Sequence, residues 1–375
     1  MKVKKVGIVG GGQLGMMMAE AAKNLGIQVT VLDPTPNCPA SHAGANQIVA
    51  SFTDTAAIAT LAQESDVLTY EFEHIDVSAL RTVEDQVPIH PSLDALETIQ
   101  NKFLQQDFLK QHGVDVGDIY PIESPTDIEK LYDKVGSIIL KSSLNSYDGK
   151  GNWVVCSKSD IQDAMDHFGD ASLFAEGLID FERELAVIVA RDLQGNIATY
   201  PVVETIHVNN ICHQVFSPAN IDERVAKKAK ELATKVHESF EGAGVFAVEM
   251  FQLGDRVILN EVAPRVHNSG HLTIEAHATS QFEQHLRAIS GLPLGDTEQT
   301  KPAATMMNIL ASSPEPEKFN QAKSGEIEPG LYLHMYNKAE NKPGRKMGHI
   351  TCVGDTIEET KARAEALHAQ LTDEV

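Results

Sequence analysis

Glu249-Met-Phe-Gln-Leu-Gly254-Asp255-Arg-Val-Ile-Leu-Asn260-Glu261-Val-Ala-Pro264-Arg265-Val-His267-Asn268-Ser-Gly-His271 holds two apolar or alternating runs parted by a Gly-Asp dipeptide. Residues 245–253 and 256–261 therefore predict two neighbouring strands joined by a tight hairpin. Glu249 and Glu261 then stand on adjacent strands and can point at one ion. Two carboxylates held that close repel unless a cation lies between them, so the pair suggests Mg²⁺ bound with nucleotide phosphates. Arg265, His267 and Asn268 follow at once as donors for a carboxylate, phosphate or carbonate oxyanion. Taken alone, such a hairpin reads better as a surface element whose acids are solvated. Residues elsewhere reverse that.

Working outward, 375 residues are too many for one ordinary core and imply two or three domains. A net charge of −22 argues against a nucleic-acid partner or an anionic membrane surface. It does not argue against small anionic substrates, which a few local donors can hold. Cys38, Cys156, Cys212 and Cys352 are scattered without a C-x-x-C pair, as expected of reduced packing thiols. The start MKVKKVGIVGGG is basic but has no long apolar run or cleavage site, and no window approaches a membrane span. A cytoplasmic protein is expected.

Residues 1–100 alternate strand and helix: strands at 6–10, 29–32 and 67–70, helices at 14–25 and 54–63. This pattern predicts a parallel, doubly wound α/β sheet. An amphipathic helix at 101–112 closes it. A second unit starts near Gly113, with strands at 138–141, 153–156 and 173–176, a polar loop at 142–152 and a helix at 160–168. Strands at 184–190 and 198–203, a helix at 221–240, the hairpin and a helix at 281–289 follow. After Pro293 come short strands at 304–310, 331–336 and 349–353, then a helix at 357–371. The expected division is 1–100, 101–300 with a lid at about 113–180, and 301–375.

Gly10-Gly-Gly12-Gln-Leu-Gly15 follows the first strand and Asp33 ends the second. That is the dinucleotide fingerprint, with an acid placed for ribose hydroxyls. An NAD(P) oxidoreductase is therefore a serious rival, although such a loop opening a helix holds any phosphate. The glycines could also serve only to pack helix on strand. Against the oxidoreductase stands the acid hairpin, which that chemistry does not need.

Lys141 ends a strand and precedes a small-residue loop in which Gly149 and Gly151 let backbone N–H groups approach an anion. An ordinary turn fits that loop equally well. Glu176-Gly177-Leu178-Ile179 ends another strand, suited to an adenine edge, and Glu184 suits ribose hydroxyls or a solvated strand face.

In this order Lys102, Lys141, Tyr147-Asp-Gly-Lys-Gly151, Glu176–Ile179, Glu184 and the Glu249/Glu261 pair resemble the ATP-grasp superfamily. More narrowly, the chain resembles the N5-carboxyaminoimidazole ribonucleotide synthetase family. The matching pieces are Gly-Gly-Gln13-Leu-Gly, Thr69-Tyr-Glu71-Phe-Glu73, Tyr147-Asp-Gly-Lys-Gly, the 260–271 segment and Gly344-Arg-Lys346-Met-Gly-His349. They run from residue 7 to about 354; the 260–271 segment is highly specific and the glycine motif weak.

The resemblance implies a Rossmann-like pre-ATP-grasp domain, a two-part ATP-grasp domain with a lid and a small strand-rich C-terminal domain, α/β and α+β in class. It implies a ligase of purine biosynthesis that carboxylates 5-aminoimidazole ribonucleotide with ATP and bicarbonate through carboxyphosphate. Mg²⁺ would sit on Glu249 and Glu261, while neither biotin nor NAD is expected. Lys102 and Lys141 would bind phosphate oxygens, and Tyr147, Asp148, Gly149, Lys150, Gly151, Asn152, Asn260 and Glu261 would belong to the nucleotide site. Glu176, Gly177, Leu178 and Ile179 would meet adenine, Glu184 the ribose, and His207 the nucleotide's surroundings. Arg265, His267 and Asn268 would position bicarbonate or carboxyphosphate. For the ribonucleotide it points to Gly12, Gln13, Leu14, Glu73, Tyr147, Asp148, Lys150, Lys338, Arg345 and Lys346, with Lys338 and Arg345 at its 5′-phosphate and Asp148 at its amine. A solvated basic loop is the plain alternative for 338–346. A homodimer is implied too.

Met16 stands where the family has Arg, Lys102 where Arg is frequent, and Leu144-Asn-Ser-Tyr147 where Thr-Gly-Gly-Tyr is usual. Ala263 replaces the metal-binding Asn of many ATP-grasp enzymes, as this family commonly does. Among the histidines, His267 and His271 have helical metal spacing, but no acid stands between them and Pro264 and Gly270 disfavour a helix, so zinc is not expected. His277 and His285 read as residues of a helix surface. Three rivals stay open: formate or an amino acid as the other substrate on the same fold, the oxidoreductase, and a nucleotide sensor without turnover.

Overall fold

The computed structural model describes residues 3–144 and 151–372. Four short parallel strands, β1 (Lys5–Val9), β2 (Gln28–Leu32), β3 (Asn46–Ile48) and β4 (Val67–Tyr70), form the first sheet in the order β3-β2-β1-β4. The helix Gln13–Leu25 leaves β1 through the glycine loop and ends at Gly26, whose φ of +65° is the left-handed cap a Cβ disfavours. Its Met16, Met17 and Met18 are buried against the sheet. Met16 thus belongs to the core, and its departure from the family's Arg alters packing rather than an exposed donor.

A second sheet is antiparallel: β5 (Ile119–Ile122), β6 (Ile138–Ser142), β7 (Asn152–Val155) and β8 (Leu173–Gly177), in the order β5-β8-β6-β7. The third sheet has ten strands. They are β9 (Arg183–Arg191), β10 (Ile197–Thr199), β11 (Val203–Val208), β12 (Ile211–Ser217), β13 (Gly244–Leu253), β14 (Arg256–Ala263), β15 (Ala303–Leu310), β16 (Gly325–Glu328), β17 (Leu331–Met335) and β18 (Lys346–Gly354). Their order is β14-β13-β9-β11-β12-β15-β18-β17-β16, with β10 on β9. The β12–β15 ladder makes residues after 300 continue the sheet that begins with the acid hairpin.

The hairpin forms as its sequence predicts. Leu253 pairs with Arg256, so Gly254-Asp255 is a two-residue turn, and Gly254 takes φ +56°. The strand expected at 198–203 is instead the end of β10 and the start of β11. Pro201 lies between them and has no N–H to give a ladder. The β11–β12 hairpin was not foreseen, although its Asn209-Asn210 turn, with φ of +51° and +63°, carries the usual signature of two left-handed residues.

His277 and His285 are not on a helix surface. His285 is 0% exposed, and its ring nitrogens meet the Thr69 hydroxyl at 2.8 Å and the Val245 amide at 3.1 Å. The helix Gln281–Ile289 is wedged between the first sheet's unit and β13, so its polar residues are buried with partners. Burial pushes the His285 imidazole down to about 3 and His277, edge-on to Tyr200, down to about 4, so both are neutral.

Candidate active site

The register pairs Glu249 with Glu261 across β13 and β14, so two acids issue from directly opposed positions. Burial raises the Glu249 carboxyl to about 7; His207 opposes the shift, while Glu261 and Glu184 add to it. Glu261 behaves oppositely. Burial works to raise it, but the Lys102 ammonium, 2.7 Å away, with Lys141 and Arg265 beyond it, outweighs burial and holds it ionised. Lys102 opens the helix Lys102–Gln111, whose Asn101 cap receives the Leu104 amide. Beside the pair, His207 on β11 is ion-paired with Glu184 on β9; the carboxylate overcomes burial and raises the imidazole. An acid held near neutrality beside two others is a site short of positive charge, which suits a divalent cation with phosphates.

On the second sheet, Lys141 meets Glu176 at 2.7 Å and Gln106 donates to the same carboxylate at 2.6 Å. The ammonium expected on phosphate and the acid expected near adenine are thus partners of each other, largely buried. Leu178 is 53% exposed at the strand end with Ile179 behind it, and its amide donates to the Ser137 carbonyl. Asn152 pairs with Lys141, and the Gly151 carbonyl accepts from Ser142. Tyr147, Asp148, Gly149 and Lys150 lie outside the described residues.

Between the acids and the first sheet lies Arg265. Its Nη2 donates to Glu73 at 2.9 Å and its Nη1 to the Val266 carbonyl at 3.0 Å, while its buried Nε has no partner among the described residues. Burial, then Arg265 and Lys346, push His267 well below its ordinary range, so the ring is neutral. Its Nδ1 bonds Ser269 Oγ at 2.9 Å and lies 3.8 Å from Glu249. Asn268 is paired with Asn308. The side-chain amide of Gln281 brackets His267 like a strand: Oε1 accepts from its N–H at 2.9 Å and Nε2 donates to its carbonyl at 2.6 Å. Gly270 leaves room for this amide, since a Cβ there would come within 2.5 Å of it.

The glycine loop holds an anion already. Gly12 N–H donates to Glu71 Oε1 at 2.5 Å and Gly15 N–H to Oε2 at 2.6 Å, while Gly11 N–H donates to Asp33 at 2.9 Å. These are the amides a dinucleotide pyrophosphate would need, and Asp33 faces its own loop rather than a ribose. The Leu14 side chain is core, and Gln13 remains partly exposed at the helix start. Facing this loop is Lys338, whose charge interacts with Glu71, Arg345 and Lys346. Burial, followed by Arg345, pushes its ammonium down to about 7, and its Nζ donates to the Lys346 carbonyl at 2.6 Å. Arg345 donates to the Glu340 carbonyl. Converging cations with a suppressed ammonium suit the binding of an anion.

The structure thus brings Glu73, Arg265, His267, Glu249, Glu261, Lys102, Lys338, Arg345 and Lys346 into one neighbourhood, in which the acids and cations influence one another electrostatically. Glu71, Gln106, Gln281 and Asn308 were missed. Glu71 alone had a signal, a polar residue inside an otherwise apolar strand end.

Three family models match in succession: a ribonucleotide synthetase preATP-grasp domain over residues 3–100, an ATP-grasp domain over 107–282, and a phosphoribosylaminoimidazole carboxylase C-terminal domain over 304–363. Fold and site together define an ATP-grasp ligase. An N5-carboxyaminoimidazole ribonucleotide synthase of Synechococcus elongatus is 40% identical, over 98% of this chain and 95% of its own. A phosphoribosylaminoimidazole carboxylase of Schizosaccharomyces pombe is 42% identical, over 96% of this chain and 67% of its own. The crystal structure of N5-carboxyaminoimidazole synthase from Aspergillus clavatus, in complex with ADP and 5-aminoimidazole ribonucleotide, superposes with a TM-score of 0.91 at 39% identity, covering 100% of both chains. The chain belongs to the N5-carboxyaminoimidazole ribonucleotide synthase family. Among the described residues no helix is long and apolar enough to cross a membrane.

Proposed function

We propose that the protein carboxylates the exocyclic amine of 5-aminoimidazole ribonucleotide, using ATP and bicarbonate, to give N5-carboxyaminoimidazole ribonucleotide in purine biosynthesis. The observation that carries this reading is the Arg265 guanidinium, bonded to Glu73 on one side, without a partner at its buried Nε among the described residues, and sharing its electrostatic surroundings with Glu261, His267 and Lys346. A bicarbonate oxygen attacks the γ-phosphorus of ATP and the bond to ADP breaks; the carboxyphosphate formed then passes its carboxyl group to the amine, its C–O bond to phosphorus-bound oxygen breaking as inorganic phosphate leaves and the amine losing a proton. Arg265 and neutral His267 would hold the carbonate oxygens, and Lys102 and Lys141 the phosphates. Lys141 must first leave Glu176, and Lys102 must share Glu261. Mg²⁺ on Glu249 and Glu261 would neutralise the β- and γ-phosphates. Lys338, Arg345 and Lys346 would take the ribonucleotide's 5′-phosphate, with Gln13 at the mouth of the occupied glycine loop. Asp148 would hold the amine, and Glu184 and His207 the ATP ribose side. A division near residues 100 and 300, a homodimer and a cytoplasmic location belong to the same proposal.

The test is ADP release from Mg-ATP and bicarbonate, with and without the ribonucleotide. Strong stimulation matched by loss of free amine is expected. Equal release in both, or stimulation by formate or an amino acid instead, would point to another acceptor, and binding without release to a sensor.

Two results should follow at Lys338. Lys338→Ala should raise the ribonucleotide KM roughly ten- to hundredfold, the worth of a charge-assisted hydrogen bond, while sparing the KM for ATP. An unchanged ribonucleotide KM would return Lys338 to the surface loop. The second concerns pH. In the free protein Lys338 loses its proton near 7, and a bound phosphate dianion favours the charged form and raises that value. Ribonucleotide affinity should therefore fall as pH rises above 7, and fall again below about 6 as the phosphate itself protonates. Calorimetry in buffers of different ionisation enthalpy should register net proton uptake at roughly pH 8.

A further inference from the structure

We propose that Asn308 is a positioning residue for the bicarbonate half of the reaction, acting by fixing which way the Asn268 side-chain amide faces. The proposal rests on the assignment of Asn268 to the bicarbonate site. Asn308 lies in the middle of β15 and is 0% exposed; Asn268 begins a short 3-10 turn and is buried. Asn308 Nδ2 donates to the Cys212 carbonyl at 2.8 Å and to Asn268 Oδ1 at 2.7 Å. Asn308 Oδ1 in return accepts from Asn268 Nδ2 at 3.0 Å.

A side-chain amide has two donor hydrogens and one acceptor oxygen. The Cys212 carbonyl can only accept, so the nitrogen end of Asn308 must face it, which resolves the usual ambiguity of an amide's orientation. Both hydrogens of Asn308 are then engaged, and its oxygen must meet a donor. Asn268 is bound to present nitrogen to that oxygen and oxygen to that nitrogen. Its carbonyl is turned into the protein, and its second Nδ2 hydrogen is left for an oxyanion. Without Asn308 the amide could turn over and offer its carbonyl, which repels a carbonate.

The backbone of the segment is held independently, by Gln281 on both sides of His267. Loss of Asn308 therefore removes orientation from one side chain and leaves the turn in place. Asn308 comes from the C-terminal part of the chain, opposite His349 on β18, so one residue of that part shapes the carbonate site of the other.

The test is a double-mutant cycle of Asn268→Ala and Asn308→Ala, reading KM for bicarbonate, KM for Mg-ATP and melting temperature. Each single variant should raise the bicarbonate KM roughly tenfold, with little change in the ATP KM, and the double variant should be no worse than Asn268→Ala. Additive single effects, or an Asn308→Ala variant that weakens both substrates alike, overturn the proposal. A normal bicarbonate KM in Asn268→Ala instead overturns the assignment beneath it. Should Asn308→Ala fail to fold, Asn308→Ser, whose short polar side chain cannot form the paired amide contact with Asn268, carries the same comparison.

Discussion

Replacing Glu261 by glutamine is expected to lower turnover on the order of a hundredfold or more, the scale of losing one transition-state charge contact in a dry site. The substitution preserves shape and removes one charge. Glu261 is the member of the pair that Lys102 keeps ionised, whereas Glu249 sits near neutrality partly because Glu261 is there. Glutamine would leave Lys102 without its carboxylate and leave Glu249, eased toward ionisation by the loss of its neighbour's charge, as the one acid to hold the metal with the phosphates. Added Mg²⁺ should recover part of the rate, and ribonucleotide binding measured by calorimetry should be untouched. Wild-type turnover in this variant would remove Glu261 from the metal site.

Arg265→Lys should be nearly as damaging, with kcat for carboxylation lowered roughly a hundredfold and ATP affinity preserved. Arginine here has donors on three nitrogens: Nη2 to Glu73, Nη1 to the Val266 carbonyl, and a buried Nε with no partner among the described residues. A lysine keeps the charge and can replace one of these donors. It cannot present a planar, fixed donor to a carbonate while also holding Glu73. Rates within threefold of wild type would reduce Arg265 to a strut for Glu73.

How much of this was readable in the sequence depended on the range of the interaction. The β13–β14 hairpin was legible because its turn, its period and its two acids lie within one short segment, and the parallel sheet because strand and helix periods alternate through residues 5–70. The glycine loop misled for the opposite reason. Its motif describes the loop alone, and the carboxylate that fills it comes from 59 residues later in the chain. Gln281 and Asn308 reach their partners across 14 and 40 residues, with no periodic signal to announce them. His285 was misplaced because its helix is buried nearly all round, and helical period cannot reveal that Thr69, 216 residues earlier, supplies a partner. The basic residues from 338 to 346 were legible as charges, but only folding shows three of them converging on one point.

The ten-stranded sheet has a mechanical consequence. Hydrogen-bonded ladders connect the acids of β13 and β14, strand by strand, to β17 and β18, which flank the cations, so the two proposed anion sites share one sheet. Sliding one half past the other would tear the β12–β15 pairing, so on the proposed reading the span between the γ-phosphate and the amine would be set when the chain folds rather than when the substrates arrive. On the proposed reading, closure over a water-sensitive mixed anhydride would fall to the four-stranded β5–β8 sheet, which among the described residues shares no ladder with this frame.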